Sequence, residues 1–535
     1  MTVRHSLHAG ASPFQTAFLS FGKPALIWIG LGLGSLLIAR LNLLFDGDVG
    51  AVITVIGVTL ILGLSMLRPR ISLCVLVFLA LAIEQYPKEY GWTKDLYYHN
   101  NINNTFRALS GISVTPLEVH LLLIVAGLLL SFLMLKEPRV PPIAAKPLLF
   151  YSSGIVFFVL YGLFRGGEFL PALWEVRGII LLVLLMVSVP QLIRTEAHVA
   201  QMIWVVIAGL GFRAIEVVYH YANANFTFVG GEGGWGSHED AGMLGILLVF
   251  TYAQRLHKIG QKQQLVLTLL VVPIIFAILA ADRRTVYPVL FSALVLVGVL
   301  QPPDVQRKLM RTTLKAGIVF ALYLGVFWNS RSDGIWVMPA RSIREGIAGA
   351  DEAGAEESFS SNLYREAENH DLARMTRERP LLGSGYGVKI DYYLPIPVGW
   401  EMGFYIPHNQ LLGVFAKTGI VGFVIFILFY LSVLAEISYG FARLVKDKYL
   451  RAVLVFAGVA LMNHLVYSFY DLALFHYRCN VFLGALLGVA ATILAIESEH
   501  KKSAPPTTPM ERKKYDTPAE WLLNPHEEGV PQLTA

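Results

Sequence analysis

Apolar residues in this chain gather into blocks of roughly 15 to 25 positions, each long enough as a helix to cross a hydrocarbon core about 30 Å thick. That patterning restricts the fold more than any other feature. Hydrophobic residues make up 55% of the 535 positions and charged residues only 15%. Soluble domains run near about 25% charge because their surfaces must be solvated, so there is too little polar material here to coat several of them. Outer-membrane barrels show short alternating segments instead, which excludes that class. The expected fold is all-α: a polytopic helical membrane protein of roughly 14 transmembrane helices (about 12 at the fewest), with one long, partly helical loop.

The charge balance, 43 Lys and Arg against 38 Asp and Glu, is mildly basic. It suits a chain with cationic loops on one side of a membrane and leaves no concentrated basic face for nucleic acid. Cys74 and Cys479 both lie in apolar segments, so neither a disulfide framework nor a Cys-based metal site is available. The polar N-terminus runs straight into Ala25–Ile38, which reads as part of a retained first span.

Spans are expected at 25–45, 49–67, 71–86, 116–135, 147–164, 171–190, 200–219, 239–254, 264–281, 286–300, 315–328, 413–437, 451–468 and 478–496. With a cytoplasmic N-terminus, the even-numbered connections carry the cations: Arg68 and Arg70; Lys136, Arg139 and Lys146; Arg255, Lys258 and Lys262; Arg307, Lys308, Arg311 and Lys315; Arg443, Lys446, Lys448 and Arg451. Positive residues stay inside, so both termini are read as cytoplasmic. The chain divides into a cytoplasmic segment 1–24, spans over 25–328, a large extracytoplasmic loop 329–408, spans over 409–496 and a Pro-rich tail 497–535 expected to be disordered. Within the loop, Ser358–Arg379 reads as an amphipathic helix with Phe359, Leu363, Ala367, Leu372 and Met375 near helical spacing. Pro380 stops it, and a flexible turn is expected at 382–387.

The most specific string is His408-Asn409-Gln410-Leu411-Leu412, followed by Gly419 and Gly422 and preceded by Pro380-Leu381-Leu382-Gly383-Ser384-Gly385-Tyr386-Gly387. A second element, Asp282-Arg283-Arg284-Thr285, lies at a helix end. Together these resemble the bacterial O-antigen ligase and O-antigen polymerase superfamily, in which a Pro-Leu-Leu-Gly-x-Gly turn precedes His-Asn-x-x-Leu and a helix opening with Gly-x-x-Gly. The resemblance spans about residues 150–490. It implies a bacterial inner-membrane enzyme whose 329–408 loop is periplasmic and whose donor is a glycan on undecaprenyl diphosphate. It implies catalytic roles for His408 and Arg284, no cofactor and no metal. Lys417 departs from the family, where that position is often acidic, and receives no role.

The residues support that reading on chemical grounds. Arg284 lies at a tight turn between spans, Arg213 near the outer end of an apolar helix, and Arg177 at the outer edge of another. An arginine at bilayer depth costs roughly 2.5–3.5 kcal/mol on insertion scales and normally faces a polar cavity or partner. Guanidinium forks bind phosphate bidentately and keep their charge, so Arg177, Arg213, Arg283 and Arg284 are candidate diphosphate ligands. Snorkelling to the headgroups is the competing reading, chiefly for Arg177 and Arg283. His408 sits where the chain returns to the membrane, and an imidazole with an ordinary pKa near about 6.5 can accept a proton from a sugar hydroxyl. Asp471 and Asn409 are candidates to orient the acceptor, with a helix cap the alternative for Asp471. Asn463 and His464 are expected to form an interhelical hydrogen-bond pair, and Ser237-His238-Glu239-Asp240 reads better as a helix start than as a glycan groove.

The expected function is inverting, metal-independent transfer of an oligosaccharide from undecaprenyl diphosphate to a sugar hydroxyl. A lipid A-core acceptor would make the enzyme a ligase. Another repeat unit would make it a polymerase of O-antigen or exopolysaccharide, towards which the long loop leans. A protein O-oligosaccharyltransferase is a third form. A transporter of lipid-linked glycan is the alternative class, disfavoured because the polar residues gather at one leaflet rather than at the midplane.

Overall fold

A computed structural model describes residues 40, 57, 59–61, 63–85, 114–135, 139–224, 235–257, 259–281, 283–300, 303–330, 334, 336–347, 356–393 and 401–503. The described residues are helical, with no strand among them. In chain order the helices are α1 (Pro69–Ala82), α2 (Pro116–Leu135), α3 (Ala145–Phe164), α4 (Phe169–Leu192), α5 (Glu196–Asn223), α6 (His238–His257) and α7 (Gln261–Ala280). There follow α8 (Val286–Leu300), α9 (Pro303–Phe327), α10 (Met338–Ile347), α11 (Glu356–Glu378), α12 (Gln410–Tyr439), α13 (Lys448–Tyr470) and α14 (Tyr477–Ser503).

Among the described residues, 9 helices are long and apolar enough to cross a membrane, and α1 and α8 are shorter apolar helices. Each falls on an expected span. The expected spans at 25–45 and 49–67 and the tail beyond 503 lie wholly or largely outside the described residues, so the total near fourteen is not established. Helix α6 is not among the nine, because Glu239 and Asp240 at its start and Gln254 and Arg255 near its end make it less apolar. Residues 239–247 are all buried, because α6 packs among α7, α8 and α13.

The helices approach closely where small residues allow it. Along the α4–α14 crossing a Cβ on Gly488 would lie 2.4 Å from the Val189 Cβ. Without a hydrophobic drive between helices in lipid, such close backbone contact supplies the packing energy. Polar contacts between connections fall alternately at the two ends of the bundle, as antiparallel neighbours require. At the end bearing the basic connections, Gln263 donates to the Tyr449 hydroxyl at 3.0 Å and Gln191 to the Val140 carbonyl at 2.6 Å. At the other end, Trp235 donates its N–H to Ala280 at 2.7 Å and the Tyr405 hydroxyl reaches Glu168 at 2.9 Å.

The large loop carries α10 and α11 at this second end. Helix α11 falls on the expected Ser358–Arg379, ending one residue earlier at Glu378, before Pro380, whose ring excludes a further helical turn. It packs on α12, and Leu372 and Met375 join Ile390 and Ala416 in a small apolar cluster.

Candidate functional site

The turn after Pro380 is expected from sequence to be flexible; the structure corrects this. Ser384 and Tyr386 are buried, and the turn is threaded into a break in α12. The break lies at Gly419, where φ is 61° and ψ −168°. In an unbroken helix the carbonyls of Ala416 and Lys417 would accept from Ile420 and Val421. Instead Ser384 donates to Ala416 at 3.0 Å and Gly385 to Lys417 at 2.7 Å, while Ile420 and Val421 donate to Pro380 at 2.8 Å and Leu381 at 3.2 Å. The two segments exchange hydrogen bonds, so the break leaves none of these buried groups unsatisfied. The opposite face of the turn lies on α3, with Tyr386 donating to the Phe158 carbonyl at 3.1 Å.

A buried ion pair locks the same turn. Lys417 Nζ lies 2.7 Å from Glu175 Oε1, both side chains almost fully shielded. Glu175 also accepts the N–H of Gly387, and Lys417 donates to the Val388 carbonyl. The cation at position 417 is therefore matched by a carboxylate on α4.

The His-Asn-Gln string starts α12, and its three residues have three separate partners. His408 donates its backbone N–H to Glu368 Oε2 at 2.9 Å, and its Nδ1 faces Glu368 Oε1 at 3.3 Å. The ring stands edge-on to Tyr364, with centroids 5.4 Å apart, and 34% of the side chain remains exposed. Asn409 caps the helix, its Oδ1 accepting from Leu412 at 3.2 Å, and its amide donates to Asn369 at 3.0 Å. Gln410 accepts the Leu474 N–H at 2.6 Å, which fastens the start of α12 to the α13–α14 connection. Burial first, and then the Glu368 carboxylate, push the Tyr392 phenol well above its ordinary range. Tyr392 thus stays a donor, to Gly403 at 2.8 Å.

The candidate arginines separate into different surroundings. Arg213 is 2% exposed and uses all three nitrogens on carboxylates: Nε on Asp240 at 2.8 Å, and its two terminal nitrogens on Glu216 and Glu84 at 2.6 Å each. Arg478, fully buried, extends this network to Asp240 at 2.7 Å and Glu239 at 3.3 Å. Arg177 forms a fork on Glu118, with Nε 2.6 Å from Oε1. Arg283 and Arg284 are half-buried at the start of α8, where their carbonyls receive the N–H groups of Val286 and Tyr287. Asp471 is buried at the end of α13 and accepts the Leu472 N–H at 2.9 Å. His464 faces the Tyr430 hydroxyl at 3.1 Å, an interhelical contact made to Tyr430, with Asn463 buried beside it.

An apolar cavity of about 860 Å³ lies between α7, α8 and α9. Ile278, Leu290, Phe320 and Tyr323 line it, Trp336 flanks it, and Arg283 and Lys315 supply its cations.

Residues 236–427 match the family described as O-antigen ligase. The match covers this segment and supports a likeness to the O-antigen ligase-like superfamily. No curated protein matches the chain as a relative. The O-antigen ligase segment contains Arg283, Arg284, Glu368, the buried turn, His408 and the Gly419 break, and stops short of Arg177, Arg213 and Asp471.

Sequence reasoning does not find Glu368, Glu175, Glu84, Glu216 or Arg478. For Glu368 a signal exists: it shares a helical row with Tyr364 and Leu372, so a carboxylate interrupts a face that packs against protein. Glu216 also has a local signal, three positions after Arg213 on one helix face; for Glu175, Glu84 and Arg478 the partner lies far away in the chain, and no local spacing points to it.

Proposed function

We propose that this protein transfers a glycan from a lipid-linked diphosphate donor to a hydroxyl acceptor, at the membrane face opposite the basic connections. The match of residues 236–427 to the O-antigen ligase family supports a glycan-transferring enzyme of ligase or polymerase type. The observation that carries the finer reading is His408: an imidazole partly open to solvent and backed on Nδ1 by a buried carboxylate. Such a group can take the proton of an attacking hydroxyl at Nε2.

The diphosphate is assigned to Arg284 and Arg283 rather than to Arg213. Arg213 already spends its three nitrogens on three carboxylates, so releasing it to a phosphate would strand buried negative charge. Arg177 is likewise committed to Glu118. Arg283 adjoins the apolar cavity, whose chemistry suits a long hydrocarbon chain with an anionic head. Undecaprenyl diphosphate has that character, and the acceptor hydroxyl belongs to lipid A-core, to a second repeat unit or to a protein.

The test is purified protein in lipid nanodiscs with undecaprenyl-diphosphate glycan and each acceptor, scored separately for product and for donor binding. His408→Ala is expected to lose about 10²–10⁴-fold in turnover, the usual worth of a positioned base, while donor binding is retained. Full turnover by His408→Ala would remove the base role.

A further inference from the structure

Glu368 lies in the middle of α11, within the large loop, and its side chain is 1% exposed. A buried carboxylate costs several kcal/mol unless donors satisfy it. Here both oxygens meet His408: Oε2 takes its backbone N–H at 2.9 Å, and Oε1 faces its Nδ1 at 3.3 Å while also receiving the Tyr392 hydroxyl at 3.5 Å. The next residues repeat the contact, with Asn409 donating to Asn369 at 3.0 Å. A clamp holding α11 to the start of α12 would need only the backbone bond and the Asn pair. The second oxygen acts on the ring.

We propose that Glu368 is a positioning residue that holds His408 in the Nδ1–H tautomer with its Nε2 lone pair facing the acceptor. The proposal rests on the glycan-transfer reading above. A neutral imidazole carries its proton on one nitrogen, and a carboxylate opposite Nδ1 favours the proton there because it can only accept. Tyr364, edge-on at 5.4 Å, fixes the ring plane. In the reaction the acceptor oxygen forms its bond to the anomeric carbon and its proton moves to Nε2. The bond from that carbon to the diphosphate oxygen breaks, and the electron pair leaves with the diphosphate. The imidazolium left behind sits against the Glu368 carboxylate, which balances its charge until the proton passes to solvent.

Glu368→Gln presents an amide that cannot accept from both His408 groups. Turnover is expected to fall by roughly 10–10³-fold with the KM for donor and acceptor little changed, the pattern of a base in the wrong tautomer. Glu368→Asp should recover part of the loss, and Glu366→Gln, exposed on the same helix, should lose nothing. A second readout is independent of transfer. Nitrogen-15 spectra of histidine-labelled protein, with the His408 signals assigned by subtraction of His408→Gln, report the tautomer directly. Loss of the Nδ1–H form in Glu368→Gln supports the proposal even if no glycan transfer is found in the parent protein, in which case the functional reading alone fails. An unchanged tautomer, or KM and turnover falling together with the protein's melting temperature, would overturn it in favour of a simple clamp.

Discussion

Gly385 donates its backbone N–H to the carbonyl of Lys417 at 2.7 Å, the carbonyl that Val421 would otherwise occupy in an unbroken α12. This exchange explains the composition of the Pro-Leu-Leu-Gly-Ser-Gly-Tyr-Gly string. At Gly385 φ is +86° and a Cβ would lie 2.2 Å from the Gly162 Cα, and at Gly419 a Cβ would meet the Leu381 carbonyl at 2.3 Å.

Alanine at Gly385 or Gly419 is therefore expected to disrupt the fold. The left-handed backbone alone costs roughly 1–2 kcal/mol, and the overlap with fixed backbone adds about 1–3 kcal/mol. Gly325→Ala, which meets nothing within 4 Å, should be neutral or slightly stabilising. Melting temperature and the monodisperse yield in detergent compare the three. A Gly419→Ala protein as stable as the Gly325→Ala protein would refute the exchanged-bond account.

Arg213→Ala is expected to fail at the level of folding rather than of donor binding. Three carboxylates lose their shared cation, and breaking a buried pair typically costs about 3–5 kcal/mol. Protein abundance should drop sharply, and Arg213→Lys should recover little because one ammonium cannot reach three partners. Normal abundance with lost donor binding would return Arg213 to the diphosphate site.

Arg284→Ala should behave in the opposite way. The side chain is half-buried at the α8 turn, so the protein should accumulate normally while glycan transfer is lost. Arg284→Lys should rescue poorly, since an ammonium does not reproduce the two-pronged contact with a phosphate. Wild-type glycan chains from Arg284→Ala at normal abundance would sink this assignment.

Sidedness can be read with two cysteines. Cys74 and Cys479 are buried, so background labelling should be low. Lys389→Cys in the large loop should react with a membrane-impermeant maleimide in intact cells, and Lys446→Cys only after lysis. The reverse pattern would invert the topology.

Transfer should be insensitive to EDTA, because His408 supplies the base and the arginines neutralise the leaving diphosphate. Activity restored only by an added divalent ion would contradict that division of labour.

The positions of the described apolar helices were legible in the sequence because apolar length is a local property. The expected spans 116–135 and 286–300 coincide with α2 and α8, and Pro380 ends α11 as its ring demands. His408 and Asn409 were legible too, since their string is contiguous. What only the tertiary structure decided is which charges meet. Glu368 reaches His408 from 40 positions away, Glu84 reaches Arg213 from 129, and Glu175 closes on Lys417 across two helices. No periodicity carries those pairings. A buried carboxylate and a buried cation each cost several kcal/mol alone, and which partners offset that cost depends on the helices that packing brings side by side. The sequence could thus mark Arg213 as an arginine at membrane depth with Glu216 three positions on, while Glu84 and Asp240 became readable as its partners only in the folded bundle.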